Sequence, residues 1–244
     1  MLHNTKGIVL RSVKYGDSSL VCTIFTGLYG VQTYMVQGVR STRSNNNKAG
    51  LLQPSTLLDM VVYHKPNTNI QRIKEFQFAH LYTNLQQNIV KNSIALFSVE
   101  LLLRLLPEQA PLPELFDLAF DYFIQLDAKQ NDAVANFPLY FIIQCSRLLG
   151  YDIKGDYSKA TPHLHLQEGS FTENSPVIPP YVNDEDAQVL SGLLQIQALS
   201  GLGSINMNAA MRYRLLDWYV AFLQRHSQHM GQIRSLHILQ TILH

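Results

Sequence analysis

The amino-acid sequence predicts an α+β protein of two domains. A small five-stranded barrel is expected over residues 1–80, and a mostly α-helical C-terminal domain over 81–244 with an irregular or β insert at about 150–183. Three observations carry this reading. Short runs rich in Val, Ile, Thr, Tyr and Phe alternate with turn residues as far as Phe78. From Leu81 the apolar period changes from two residues to three or four. The charge changes sign at the same place: through His80 there are nine Lys and Arg against three acids, while the remaining 164 residues carry ten bases and fifteen acids. With 46% hydrophobic and 15% charged residues, a chain of 244 has the composition and length to bury two cores.

Strands are expected at Thr5–Ser12, Leu20–Phe25, Val31–Gly38, Thr56–His64 and Asn69–Phe78. Between them lie turn residues: Tyr15–Ser18, Gly27–Gly30, the Ser/Asn-rich stretch Ser41–Lys48, and Lys65–Asn69. Five strands in about eighty residues suit an OB-fold, whose exposed face and loops bind oligonucleotides, and an SH3-like barrel fits the same count. Two-residue alternation in the fifth strand places Ile70, Arg72, Lys74, Phe76 and Phe78 on one face. Cations beside rings are what single-strand binders use. Phe76 and Phe78 serve equally to pack the barrel on the next domain, which is the commoner use of such rings. The stretch Ser41–Lys48 has no apolar anchor and is expected to be mobile; it is suited to closing on a nucleic-acid strand and equally to being a solvated connection.

Helices follow in order. Val90, Ile94, Phe97, Leu101 and Leu105 form one stripe that Pro107 ends. A second helix is expected from Pro113 or Glu114 to Asp127, with Leu115, Leu118, Ala119, Tyr122, Phe123 and Leu126 on its apolar side, and a third from about Val134 to Leu149. Asp184, Glu185 and Asp186 open a fourth, where negative charge meets the positive end of the helix dipole. After Gly201–Ser204 a fifth, from about Asn208 to Gln228, sets Met211, Leu215, Trp218, Tyr219 and Phe222 on a buried stripe. Arg212, Arg214 and Arg225 lie mainly off that stripe and are suited to extending the basic surface, but isolated arginines on a helix are usually solvated. The last helix spans about Ile233–Leu243.

The composition also excludes several classes. Cys22 and Cys145 are far apart and each sits in an apolar run, so no disulfide framework is expected. There is no P-loop, no GxSxG elbow and no HExxH, and the chain reads as a non-enzyme without cofactor. The greasiest stretch, Ile94–Leu106, is broken by Glu100 and Arg104, and the N-terminus lacks a signal-like apolar region, so a cytoplasmic protein is expected. A strongly basic barrel suggests a phosphate-backbone partner, because cations that displace condensed counterions gain affinity without reading sequence.

The runs Gly7-Ile8-Val9-Leu10-Arg11, Tyr15-Gly16-Asp17-Ser18-Ser19-Leu20, Phe25-Thr26, Gly30 and Gly38-Val39-Arg40 resemble the RecO family of recombination mediators. Leu148-Leu149-Gly150-Tyr151 and the closing Arg234-Ser235-Leu236-His237-Ile238-Leu239 extend the resemblance over most of the chain. It implies an N-terminal OB-fold, a helical C-terminal domain and a role in recombinational repair. It also implies binding of single- and double-stranded DNA, annealing of complementary strands, engagement of the C-terminal tail of single-strand-binding protein, and action with RecR in loading recombinase. By position, the family's basic surface corresponds to Lys6, Arg11, Lys14, Arg40, Arg43 and Lys48, to which the strand reading adds Arg72 and Lys74. Nucleoid association in the cytoplasm follows from the same resemblance. One departure stands out: many relatives hold a four-cysteine zinc module after Leu-Gly-Tyr, whereas residues 150–183 here contain no cysteine. His163 and His165 share one side of an expected strand but lack thiolate partners, so no zinc is expected and packing is left to hold the insert. The competing reading is a protein–protein adaptor whose barrel binds a protein partner.

Overall fold

A computed structural model describes residues 1–39, 48–66, 68–182 and 184–243. Arg40 and Arg43, with the stretch 41–47, lie outside the described residues. The chain divides into two compact units, one of residues 1–86 and 106–128, the other of 87–105 and 129–244.

The first unit is built on a closed five-stranded barrel, β1 (Leu2–Tyr15), β2 (Ser19–Thr26), β3 (Gly30–Val36), β4 (Leu57–Tyr63) and β5 (Ile70–Phe78), in the order β1-β2-β3-β5-β4. Closure depends on the length of β1. Its first half pairs antiparallel with β4, from Leu2↔Tyr63 to Ile8↔Leu57, and its second half with β2, from Gly7↔Thr26 to Tyr15↔Ser19. An irregularity between Val9 and Arg11 lets the strand bend from one neighbour to the other. Val9, Leu20, Cys22, Ile24, Tyr34, Val36, Leu58, Met60 and Val62 fill the interior. These are the alternate apolar positions of each strand, as a two-residue period requires.

The second helical segment belongs to this unit. After Val31, which bridges Glu108 and accepts a hydrogen bond from the Gln109 N–H at 3.0 Å, the helix α2 (Pro113–Ala128) brings Phe116 edge-on to Phe25 at 5.3 Å. Gly30 has φ +65°, and a Cβ there would run into the Ala110 carbonyl, so only glycine lets the backbones approach. Asp127, 4% exposed at the end of α2, accepts from the N–H groups of Thr83, Asn84 and Leu85 at 3.0, 2.8 and 2.7 Å. The chain leaving β5 is thereby tied to the helix.

The second unit contains α1 (Ile89–Leu105), α3 (Phe137–Leu148), α4 (Asp184–Leu194), α5 (Ala209–His226) and α6 (Ser235–Ile242). Their ends follow local chemistry: Asn88 Oδ1 accepts from the Val90 and Lys91 N–H groups at the start of α1, and Asn208 accepts from the Met211 N–H at the start of α5. Glu100 on α1 receives the Arg234 and Ser235 N–H groups at 3.0 and 2.8 Å and so caps α6. The expected α5 stripe, Met211, Leu215, Trp218, Tyr219 and Phe222, is buried throughout.

Between α3 and α4 the insert holds a short hairpin, β6 (His163–His165) with β7 (Ser170–Thr172). Leu164, Leu166 and Phe171 are buried, Lys154 exchanges backbone hydrogen bonds with Gly169 and Phe171, and His226 of α5 meets the Leu166 carbonyl at 3.0 Å. Apolar packing and backbone pairing hold this insert. Among the described residues no three His, Cys, Asp or Glu are grouped to hold a metal ion. No helix among them is long and apolar enough to cross a membrane.

Candidate nucleic-acid interface

Strand register sorts the outward side chains of the barrel into rows, because residues paired across a ladder point to the same face. One row runs Arg11, Thr23, Thr33, Ile70. A second runs Val13, Val21, Met35, Arg72, Tyr63 and back to Leu2 on β1. On the β1-β4-β5 side, Asn4, Val61 and Glu75 form a third, and Lys6, Asp59 and Gln77 a fourth.

These rows divide the predicted cations. Arg11 and Arg72 are exposed on the first two rows. Lys14 pairs with the buried Leu20, so it rises from the inner side of β1 at the rim, where it is exposed. Among the described residues, none of these three has a carboxylate within ion-pair distance; the acid nearest in sequence to Arg11 and Lys14 is the exposed Asp17 of the β1–β2 turn, and that nearest to Arg72 is Glu75, which pairs with Lys74. Lys6 and Lys74 lie elsewhere. Lys6 Nζ sits over the Phe120 ring of α2, 4.9 Å from its centre, and Lys74 pairs with Glu75 at 3.1 Å. Both line a groove of about 720 Å³ whose wall includes Asp59 and Glu75, so the signs there nearly cancel. Lys48 opens the short 3-10 turn Lys48–Leu52 that follows the stretch 41–47.

The fifth strand corrects one expectation. Arg72, Lys74, Phe76 and Phe78 do not share a face, because the β4–β5 register shifts between Val61 and Val62, pairing these with Glu75 and Ile73 and leaving Lys74 as the extra residue of a bulge. Ile73 and Phe76 both pack on the barrel core, while Arg72 points outward beside Tyr63. The rings therefore do not stand beside the cations as simple alternation requires. The aromatic neighbour of Arg72 is Tyr63, which strand reading passed over although it continues the outward series Asp59, Val61.

Of the arginines of α5, Arg225 is exposed as expected, whereas Arg212 and Arg214 have partners. Arg214 clasps the fully buried Asp186 with two hydrogen bonds, of 2.6 and 2.8 Å, and this partner holds its guanidinium more firmly protonated than usual. Arg212 donates to Asn136 Oδ1 at 2.9 Å, and its burial lowers its pKa. The acid cluster at the start of α4 thus contains an ion-pair partner besides dipole-facing charges.

A closed five-stranded barrel bearing exposed Arg11, Lys14 and Arg72, followed by a mostly helical unit, is the architecture the sequence predicts. The family comparison makes this specific. The model for "Recombination protein O N terminal" matches residues 1–82 and that for "Recombination protein O C terminal" matches 86–237, so the chain belongs to the RecO family of DNA-repair and recombination mediators. It is 29% identical over 243 residues to the DNA repair protein RecO of Bacteroides fragilis and 28% identical over 243 residues to that of Christiangramia forsetii, covering 99% of each chain in both cases.

Proposed function

We propose that the barrel binds single- and double-stranded DNA through phosphate contacts of Arg11, Lys14 and Arg72, joined by Arg40, Arg43 and Lys48. Lys6 and Lys74 contribute less, because Lys6 already sits over the Phe120 ring of α2 and Lys74 already pairs with Glu75. Neutralising phosphates on two strands lowers their mutual repulsion, so complementary strands can pair while held on the protein. With RecR, and through the C-terminal tail of single-strand-binding protein, the molecule then helps to load recombinase on coated DNA in the cytoplasm, at the nucleoid. The helical region, which carries most of the acids, is left to meet protein partners.

The observation that carries this reading is that Arg11, Lys14 and Arg72 are exposed on the barrel with no ion-pair partner among the described residues. Desolvating such charges in a folded protein gains nothing unless an anion meets them. A strand-annealing assay tests it: Arg40→Glu with Arg43→Glu should slow annealing of unrelated sequences to the same extent. Normal annealing by this variant would remove those two arginines from the surface. Binding of protein partners with no binding of DNA at low salt would favour an adaptor.

A further inference from the structure

The second outward row is unusual in composition. Of its six positions, Val13, Val21, Met35, Tyr63 and Leu2 are apolar or aromatic and only Arg72 is charged. Val13 is 45% exposed, Tyr63 42% and Leu2 48%, and Ile70, two residues from Arg72 on the same strand, is 45% exposed. A single exposed apolar side chain needs no explanation. Because the barrel is closed, the row runs around it; its contiguous part is Met35, Arg72, Tyr63 and Leu2 on adjacent strands with Ile70 beside Arg72, and such apolar patches mark binding surfaces. At about 4.8 Å between strands, the three central positions Met35, Arg72 and Tyr63 alone span roughly 10 Å. The barrel interior is already filled, so this row is not a displaced core.

We propose that this row is a nucleobase platform centred on Tyr63. Unpaired bases of a single strand lie against Tyr63 and its aliphatic neighbours Ile70 and Met35, while Arg72 holds the adjoining phosphate. The proposal rests on the DNA-binding reading above and adds a ligand chemistry to it. The occupant follows from charge and shape together. A cation within an apolar patch matches a polyanion that carries flat apolar groups, and an acidic duplex matches only the cation. Bases inside a duplex are stacked on one another and cannot reach the platform. The row therefore makes the barrel bind single strands by base and phosphate, and duplex by phosphate alone.

Three probes separate the terms: a mixed-sequence single strand, a duplex of equal length, and an abasic sugar–phosphate strand of equal length. The wild type should bind the single strand more tightly than the abasic one. Tyr63→Ala should weaken the single strand roughly 5- to 100-fold, the worth of one stacked base, and leave duplex and abasic binding within about twofold. Tyr63→Phe, which keeps the ring, should bind all three as wild type does. Equal wild-type affinity for the mixed and abasic strands would overturn the platform while leaving the phosphate surface standing. So would a Tyr63→Ala loss shared equally by all three probes. A wild type that binds none of them overturns the DNA-binding reading itself.

Discussion

Replacing Asp127 by Asn tests what ties the segment after β5 to α2. The carboxylate is buried and accepts from three consecutive backbone N–H groups, from the Thr83 hydroxyl at 3.2 Å, and lies 3.5 Å from the His80 imidazole. Burial by itself would raise its pKa; the Thr83, Asn84 and Leu85 N–H groups and His80 outweigh that and bring it down to about 2. An unfolded aspartate titrates near 3.9, so the depressed value is worth about 2.5 kcal/mol. Because the folded carboxyl holds its proton less tightly than the unfolded one, this stability is fully present above about pH 4. It is lost as pH falls through about 2. Asn keeps the shape but supplies one neutral acceptor in place of two charged oxygens. Thr83 and Asn84 are exposed and can recover water, whereas the Leu85 N–H belongs to a buried residue. A loss of about 2–3 kcal/mol at pH 7 is therefore expected. Urea unfolding followed by circular dichroism at pH 7 and pH 3 measures it. The wild type should approach the variant as pH falls. A variant within about 0.5 kcal/mol of wild type at pH 7, or a gap that does not narrow in acid, would refute the assigned role.

Further outcomes follow from the same geometry. Gly30→Ala should cost about 3 kcal/mol, since it combines a left-handed backbone with a Cβ against the Ala110 carbonyl, and thermal melting would show it. Phe116→Ala should lose about 3–4 kcal/mol through the cavity beside Phe25, again read by unfolding. Arg214→Ala deprives buried Asp186 of its guanidinium and should destabilise by about 2 kcal/mol, the half-exposed arginine site admitting some water. Its DNA affinity should stay within about twofold of wild type, measured in the same preparation.

Much of this fold is legible in the chain because its signals are local. Alternating Val, Ile and Phe locate all five strands, and Pro107 ends the first long helix as expected, at Leu105. The failures are of other kinds. Alternation assumes a regular strand, and one extra residue at Lys74 reverses the facing of everything beyond it. The spacing of three between Ile73 and Phe76, both inward, was the trace of that bulge. The α2 helix is apolar on more than one side: Phe116 and Phe120 fall outside the expected stripe, yet Phe116 meets the barrel and Phe120 lies under Lys6. A stripe identifies a helix but does not name its neighbour. Arg214 looked solvated because Asp186, its partner, stands 28 residues away. The cations themselves are plain in the sequence, but which are neutralised depends on strand register, and register separates Arg11 and Arg72 from Lys6 and Lys74.

The most direct test of the central claim is the salt dependence of single-strand binding, measured by fluorescence anisotropy for wild type beside an Arg11→Ala/Arg72→Ala variant. Four to six phosphate contacts predict a slope of about −3 to −4 for log affinity against log salt, and losing two cations should flatten it by about 1.4. A wild type that binds without salt dependence, or a variant with unchanged slope and affinity, would contradict the assignment of these cations.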